Sequence, residues 1–269
     1  MTRTIAIVGT SNIGAVKYAA PAIAAAYPDL ALAFWGLPGG KFADCAVDAS
    51  GCLRTAPGDA EALKMARRIN GADMIDLSRA DARLVIADTM GLPQILFVAC
   101  GYDVVDWPHR SDKPLLSQAA FLAMMDEVIE AAADDLARRF QGVTPLFVAR
   151  APYPTTVVTR RGPLRLEPFA AIAAHPEAAR IEALYTTALD RALSARAMTL
   201  VAQPADTIAS PFLTRPAFGK AAGDFRAADR VLDDHRHMNA AFGASLFRAF
   251  ALALDPTIVG AEPRPPIEE

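Results

Sequence analysis

The chain has 269 residues, 53% of them hydrophobic and 21% charged, with a formal net charge of −3. That apolar content supports a large core and excludes wholesale disorder. The slight acidity leaves no basic face for nucleic acid and no polybasic patch for an anionic membrane.

Three cysteines, Cys45, Cys52 and Cys100, are too few for a disulfide framework, and four histidines without a CxxC pair argue against a structural zinc site. The segment Met-Thr-Arg-Thr-Ile-Ala-Ile-Val-Gly has an apolar run about half as long as a signal-peptide core and stops at a turn. No stretch approaches the roughly 20 apolar residues of a bilayer span. The expectation is a cytoplasmic protein with reduced thiols.

Thr4 to Val8 is β-branched or apolar and is stopped by Gly9-Thr10-Ser11-Asn12, which predicts a buried strand and a tight turn. Ile13 to Tyr27 is alanine-rich and predicts a helix capped by Asn12 or Ser11, perturbed or split at Pro21. Asp29 to Trp35 is a second strand, closed by Gly36-Leu37-Pro38-Gly39-Gly40, and strand–helix–strand in this order implies a parallel pair. Lys41 to Pro57 reads as a hairpin or irregular insertion, and Gly58 to Ile69 as a helix.

Leu84 to Ala87 is a short buried strand followed by the turn Asp88 to Pro93, and Ile95 to Ala99 is a strand or a covered loop. Ser117 to Phe140 and Ala174 to Ala197 are long helices, separated by a strand at Pro145 to Ala149 and the non-helical Ala151-Pro152-Tyr153-Pro154. Met198 to Ala202 is the last strand and Asn239 to Leu254 the last helix. No repeat or linker interrupts the alternation. Residues 1–262 therefore read as one α/β domain, a three-layer α/β/α sandwich on a parallel sheet of about five strands. Residues 263–269 read as a frayed Pro- and Glu-rich tail.

Three places can carry chemistry. Ser11 stands at the carboxyl end of the first strand and the mouth of the first helix, where ligands of parallel sheets bind and where helix N–H groups favour an anion. A nucleophile there carries part of its oxyanion hole with it, although a serine at such a position also serves as a simple helix cap. The second place is Asp234-His235-Arg236-His237-Met238-Asn239. On a turn, the three-residue spacing lets the Asp234 carboxylate meet one nitrogen of His237 and leaves the other free, while Asn239 caps the next helix. A solvated charged loop and a His235/His237 metal pair are the other readings of this stretch. The third place is the pair of turns after the second and third strands, where Gly36, Gly39 and Gly40, or Asp88, Thr89 and Gly91, allow close backbone approach. Trp35, Trp107, His109 and Tyr153 lie in or beside strand-end loops and read as hydrophobic cover. Arg150 ends the fourth strand and reads as a surface ion pair or a contact for an anionic substrate group.

Together, serine in the first β/α turn and Asp-x-x-His near the C-terminus resemble the SGNH hydrolases, also called GDSL esterases and lipases. Gly9-Thr10-Ser11-Asn12 stands where that family has Gly-Asp-Ser-Leu, and Asp234-His235-Arg236-His237, followed by Met238-Asn239 and Gly243, where it has its second block. The resemblance implies a flavodoxin-like fold and a carboxylic-ester substrate, small or carried on a glycan such as an O-acetylated sugar. It implies Ser11 as nucleophile, His237 as base, Asp234 as its orienting acid, and no metal or cofactor. It also implies a glycine donor to the oxyanion, for which Gly39 and Gly40 are candidates. The family's Gly-x-Asn-Asp after the third strand has no counterpart, so Asn12, Thr89 or the backbone near Gly91 is the expected substitute.

Two other readings compete. One is a binding domain of the same architecture without turnover. The other is a nucleotide-binding enzyme using Gly9-Thr10-Ser11-Asn12-Ile13-Gly14 for NAD. For the latter, Ser11 replaces the second fingerprint glycine and Phe34-Trp35-Gly36 lacks the ribose-binding acid. No Gly-Lys-Ser/Thr follows Gly14, so a P-loop is excluded. The chain carries no legible oligomerisation signal.

Overall fold

A computed structural model describes residues 2–87, 89–108, 111–159, 166–220, 234 and 236–257. The first half contains β1 (Arg3–Gly9), α1 (Ile13–Ala26), β2 (Leu30–Gly36), α2 (Gly39–Ala43), β3 (Ala46–Val47), β4 (Cys52–Arg54), α3 (Ala60–Asn70), β5 (Met74–Asp76), β6 (Ala82–Ile86) and α4 (Leu92–Gly101). The second contains β7 (Asp103–Val104), β8 (Leu115–Leu116), α5 (Gln118–Arg139), β9 (Leu146–Ala149), α6 (Glu167–Ile172), α7 (Ala178–Ser194), β10 (Met198–Leu200), β11 (Ile208–Ser210), β12 (Leu213–Thr214) and α8 (Ala240–Leu254). Asp88, His109, His235 and the 263–269 tail lie outside the described residues.

Five strands form one parallel sheet in the order β2-β1-β6-β9-β10. The strand order reverses between β1 and β6, as in flavodoxin-like sheets, so loops diverge there and leave a crevice at the carboxyl ends. Side chains alternate across the sheet with the two-residue period of a strand. Ile5, Ile7, Leu84, Ile86, Phe147 and Ala149 face the layer of α1 and α8. Ala6, Val8, Val85, Leu146 and Val148 face the other layer, to which α4, α5 and α7 contribute. The expected three-layer sandwich is the observed fold. Among the described residues no helix is long and apolar enough to cross a membrane.

Local chemistry sets the element ends. Asp59 and Ser117 cap α3 and α5 by accepting from Ala62 N and Ala120 N, at 2.9 and 3.1 Å. The insertion after β2 is the short helix α2 and a β3–β4 hairpin, extended to a three-stranded antiparallel sheet by β5. One tie to the body is the buried Arg139 of α5, which donates to the carbonyls of Cys45 (2.8 Å) and Phe42 (2.5 Å).

The structure corrects three expectations. Helix α1 runs unbroken through Pro21. Ile95 to Ala99 is neither strand nor loop but the middle of α4, whose start has proline near its first position after the left-handed Gly91. Helix α7 begins at Ala178 rather than Ala174, because Pro176 biases the preceding His175 away from helix. Trp35, Trp107 and Tyr153 are buried, in keeping with their reading as cover.

The α1–α8 crossing brings backbone against backbone. A Cβ placed on Gly243 would lie 2.0 Å from Ala15 O and 2.7 Å from Val16 N. Substitution Gly243→Ala forces the helices apart and is expected to cost about 1–3 kcal/mol, as overpacking does. Urea unfolding would read this as a lower midpoint at unchanged slope.

Candidate active site

The first component is the turn between β1 and α1. A Cβ on Gly9 would lie 2.3 Å from Ile86 O, and one on Gly36 would lie 2.6 Å from Gly9 O and 2.5 Å from Ile13 Cδ1. Glycine at both positions therefore lets the ends of β6, β1 and β2 close on one another. The turn is tied to both neighbours: Thr10 N donates to Ile86 O at 3.3 Å and Leu37 N to Gly9 O at 3.1 Å. Thr10 is buried, and its hydroxyl oxygen accepts from Asn12 N (3.4 Å) and Asn12 Nδ2 (3.1 Å). Thr10 thus closes the turn with its own side chain. Asn12 occupies the N-cap position without a side-chain cap bond. Ser11 makes no cap bond either; its Oγ points away from the helix to His237.

The second component is the loop before α8. His237 Nδ1 lies 2.8 and 2.9 Å from the two carboxylate oxygens of Asp234, and His237 Nε2 lies 2.9 Å from Ser11 Oγ. The Asp234 carboxylate also accepts from His237 N at 3.1 Å. Burial opposes its charge, but the His237 ring, the His237 charge and the amides of His237 and Arg236 outweigh that and hold the carboxyl below its ordinary value. An ionised carboxylate only accepts, so Nδ1 carries the ring proton in neutral His237. Nε2 is left to accept from the Ser11 hydroxyl. Ser11 and His237 are 226 residues apart in the chain.

A segment that gave no signal in the sequence holds this loop. Lys220 N donates to His237 O and Asn239 N to Phe218 O, both at 2.9 Å, with Gly219 and Met238 bridged antiparallel between them. Asn239 Nδ2 donates to Ala217 O at 2.7 Å, while its Oδ1 caps α8 through Phe242 N at 3.1 Å, the expected cap. Met238 is buried in the core beside Phe242. His237 is thus held on both sides along the backbone. No side-chain pattern announces such a clamp, and only the Asn239 cap was legible.

Ser11, Asn12, Tyr18, Lys220, His237 and Met238 line a cleft of about 210 Å³. Of the expected oxyanion donors, Asn12 belongs to this cleft, and Gly39, Thr89 and Gly91 do not line it. Gly39 opens α2, in open space, in the turn that Leu37 ties to Gly9. The carbonyl of Thr89 accepts from the Tyr185 hydroxyl at 3.1 Å. Gly91 has φ +76° and allows no side chain, since a Cβ there would lie 2.3 Å from Val128 Cγ1. Among the described residues the Ser11 amide donates to no other group. No group of three or more His, Cys, Asp or Glu side chains among them is arranged to hold a metal. Arg150 makes no ion pair among the described residues, against one of its two expectations; it stacks on Tyr153, its guanidinium carbon 3.2 Å from the ring centroid.

The chain matches no family model, and no curated protein is significantly similar to it in sequence.

The depressed Asp234 carboxyl makes a pH prediction. A carboxyl held low in the folded state stabilises the fold at pH values above the ordinary carboxylate range, and that contribution is lost as pH falls through the folded value. Asp234→Asn removes it, so the melting temperature of the variant is expected to fall less steeply on acidification than that of the wild type. Parallel thermal melts from neutral to acid pH check this.

Proposed function

We propose that this protein is a serine ester hydrolase of the SGNH type. The observation that carries the reading is the hydrogen-bonded line Ser11 Oγ–His237 Nε2, His237 Nδ1–Asp234, with distances of 2.9 and 2.8 Å. A bare serine hydroxyl is a weak nucleophile. A base within hydrogen-bond reach, oriented by a third group, is what activates one.

In the first step His237 Nε2 takes the Ser11 proton as Oγ attacks the ester carbonyl carbon. The tetrahedral oxyanion lies before α1, where the Ser11 amide donates to no other described group and the helix N-terminus favours negative charge. The turn at Gly39 and Gly40, tied next to Gly9, is the candidate for a second donor. The tetrahedral intermediate collapses with cleavage of the ester C–O bond, the alcohol leaves with the proton from His237, and an acyl group remains on Ser11. Water, deprotonated by His237, then attacks the acyl carbon. A second tetrahedral intermediate releases the acid and restores Ser11. Asp234, kept ionised, holds the ring tautomer and stabilises the imidazolium in both steps. The substrate class is a carboxylic ester, small or carried on a glycan.

A fluorophosphonate probe tests the reading. Stoichiometric labelling is expected at Ser11 and lost in Ser11→Ala and His237→Ala. Asp234→Asn is expected to lower ester turnover by on the order of 10³- to 10⁴-fold. A folded protein that takes no label, or a His237→Ala variant that labels at the wild-type rate, would rule the assignment out.

A further inference from the structure

A second cavity, of about 390 Å³, lies between α7 and the carboxyl ends of β9 and β10. Arg150, Tyr153, Glu182, Tyr185 and Gln203 give it its chemistry, and the exposed Ala183 of α7 stands at its rim. None of these residues takes part in the Ser11–His237–Asp234 line.

Arg150 is the unusual group. It is half-buried, yet no carboxylate among the described residues pairs with it. Its Nη1 donates to Ala151 O at 2.7 Å, and its Nη2 lies 3.4 Å from Gln203 Oε1. A guanidinium has five N–H donors in a rigid fork, so most of them are committed to no described residue. The nearest acid in the cavity is otherwise engaged: Glu182 Oε1 accepts at 3.2 Å from the amide of Phe212, a residue held at φ +61°. Gln203 anchors the wall, accepting from Tyr153 N at 3.0 Å and donating to Thr214 Oγ1 at 2.9 Å and Thr207 Oγ1 at 3.2 Å. The Tyr153 ring supports the guanidinium plane from one side. Arg150 is thus a braced, partly desolvated cation, suited to planar two-point recognition of an anion.

The register places this cation relative to Ser11. Gly9 pairs with Ile86 and Ile86 with Ala149, so the residues just beyond them stand level at the carboxyl rim. Two interstrand steps separate β1 from β9, a backbone separation of about 10 Å. The fully buried Tyr185 connects the two places, donating its hydroxyl to the carbonyls of Thr89 (3.1 Å) and Met90 (3.3 Å) in the turn after β6, the strand between them.

From these observations we infer that the Arg150 cavity is a recognition subsite for an anionic group, carboxylate or phosphate, on the same molecule whose ester faces Ser11. The inference rests on the hydrolase reading for what it recognises, but its binding chemistry is independent of turnover.

Calorimetry on wild type and Ser11→Ala, with glucuronate and inorganic phosphate as separate probes, tests it. Saturable binding of at least one anion is expected in both proteins, and which probe binds identifies the group. Arg150→Gln is expected to raise the Kd at least about tenfold, the loss of a charge-assisted contact. Ala183→Phe, a substitution at an exposed helix position on the cavity rim that adds bulk there and leaves Arg150 in place, is expected to do the same and guards against a folding effect at Arg150. Binding of neither anion, or binding that survives both substitutions, overturns the proposal. With 4-nitrophenyl half-esters of dicarboxylic acids, the kcat/KM advantage over the neutral 4-nitrophenyl acetate is expected to shrink in Arg150→Gln; an undiminished advantage overturns the link to the substrate. Should no ester be hydrolysed, the hydrolase reading falls, and calorimetry alone still decides whether the cavity takes an anion.

Discussion

Everything at the candidate site depends on the backbone contact between α1 and α8. Ser11 stands two residues before α1 and His237 three residues before α8, so the distance between the two side chains is set by how closely the first turns of these helices approach. Gly243 permits an approach at which any side chain would overlap the Ala15 carbonyl. Close packing makes such a contact stiff, because a core of this density does not deform gradually. The apolar stripe of α8, Phe242, Leu246, Phe247 and Phe250, and that of α1, Ile13, Val16 and Ile23, bury themselves together against Ile5, Ile7 and Leu84 of the sheet. A hydrogen bond spanning 226 residues of chain is thereby held by hydrophobic packing rather than by its own strength. The same crossing brings two helix N-termini to one cleft, so their partial positive ends act together on any negative charge that develops there.

The hydrogen bonds around the site divide into those a sequence displays and those it does not. Strands β1, β2, β6 and β9 were legible because buried parallel strands are short apolar runs ended by turn residues. Asp234, His237 and Asn239 were legible because their side chains carry the interaction and their spacing is local, and Ser11 because it stands in the turn that ends the first apolar run. The clamp from Phe218 to Lys220 was not, since it consists of main-chain donors and acceptors that every residue possesses. The role of Gly243 in the crossing was hidden for a related reason: a glycine required by a distant carbonyl looks like any other glycine. Helix α4 was misread because a five-residue apolar window fits strand and helix alike. The Pro93 that marks its start lies outside that window, in the turn. Strand β5 is three residues long and owes its existence to its partner β4 rather than to its own composition.

Two differences from the SGNH pattern that the sequence resembles have different physical weight. Threonine at position 10, in place of an acid, keeps a side-chain oxygen in the turn, and that oxygen accepts from both nitrogens of Asn12. The turn is closed by a neutral acceptor, and Ser11 is presented all the same. The turn after β6 departs further. Its carbonyls at Thr89 and Met90 are drawn toward Tyr185, Met90 and Gly91 are both left-handed, and Gly91 is pressed against Val128. That turn is organised toward α5 and α7, on the far face of the sheet from α1 and α8. On the hydrolase reading, oxyanion stabilisation therefore falls on the Ser11 amide, and the Gly39–Gly40 turn, outside the cleft lining, stays the candidate for a second donor.

What that turn loses for one face it supplies to the other. By anchoring Tyr185, the end of β6 helps shape the wall of the Arg150 cavity, and by pairing with β1 it also holds the Ser11 turn. A single strand end thus borders both places, the cleft on the α1–α8 face and the cavity on the α7 face. A parallel sheet presents all its carboxyl ends along one rim, and successive residues along each strand turn their side chains alternately to either face. On the hydrolase reading, a substrate lying along this rim would meet Ser11 above β1 and the guanidinium above β9. The ladder from β1 through β6 to β9 fixes the backbone spacing of these strand ends, while Ser11 stands on the α1–α8 face and the guanidinium on the α7 face.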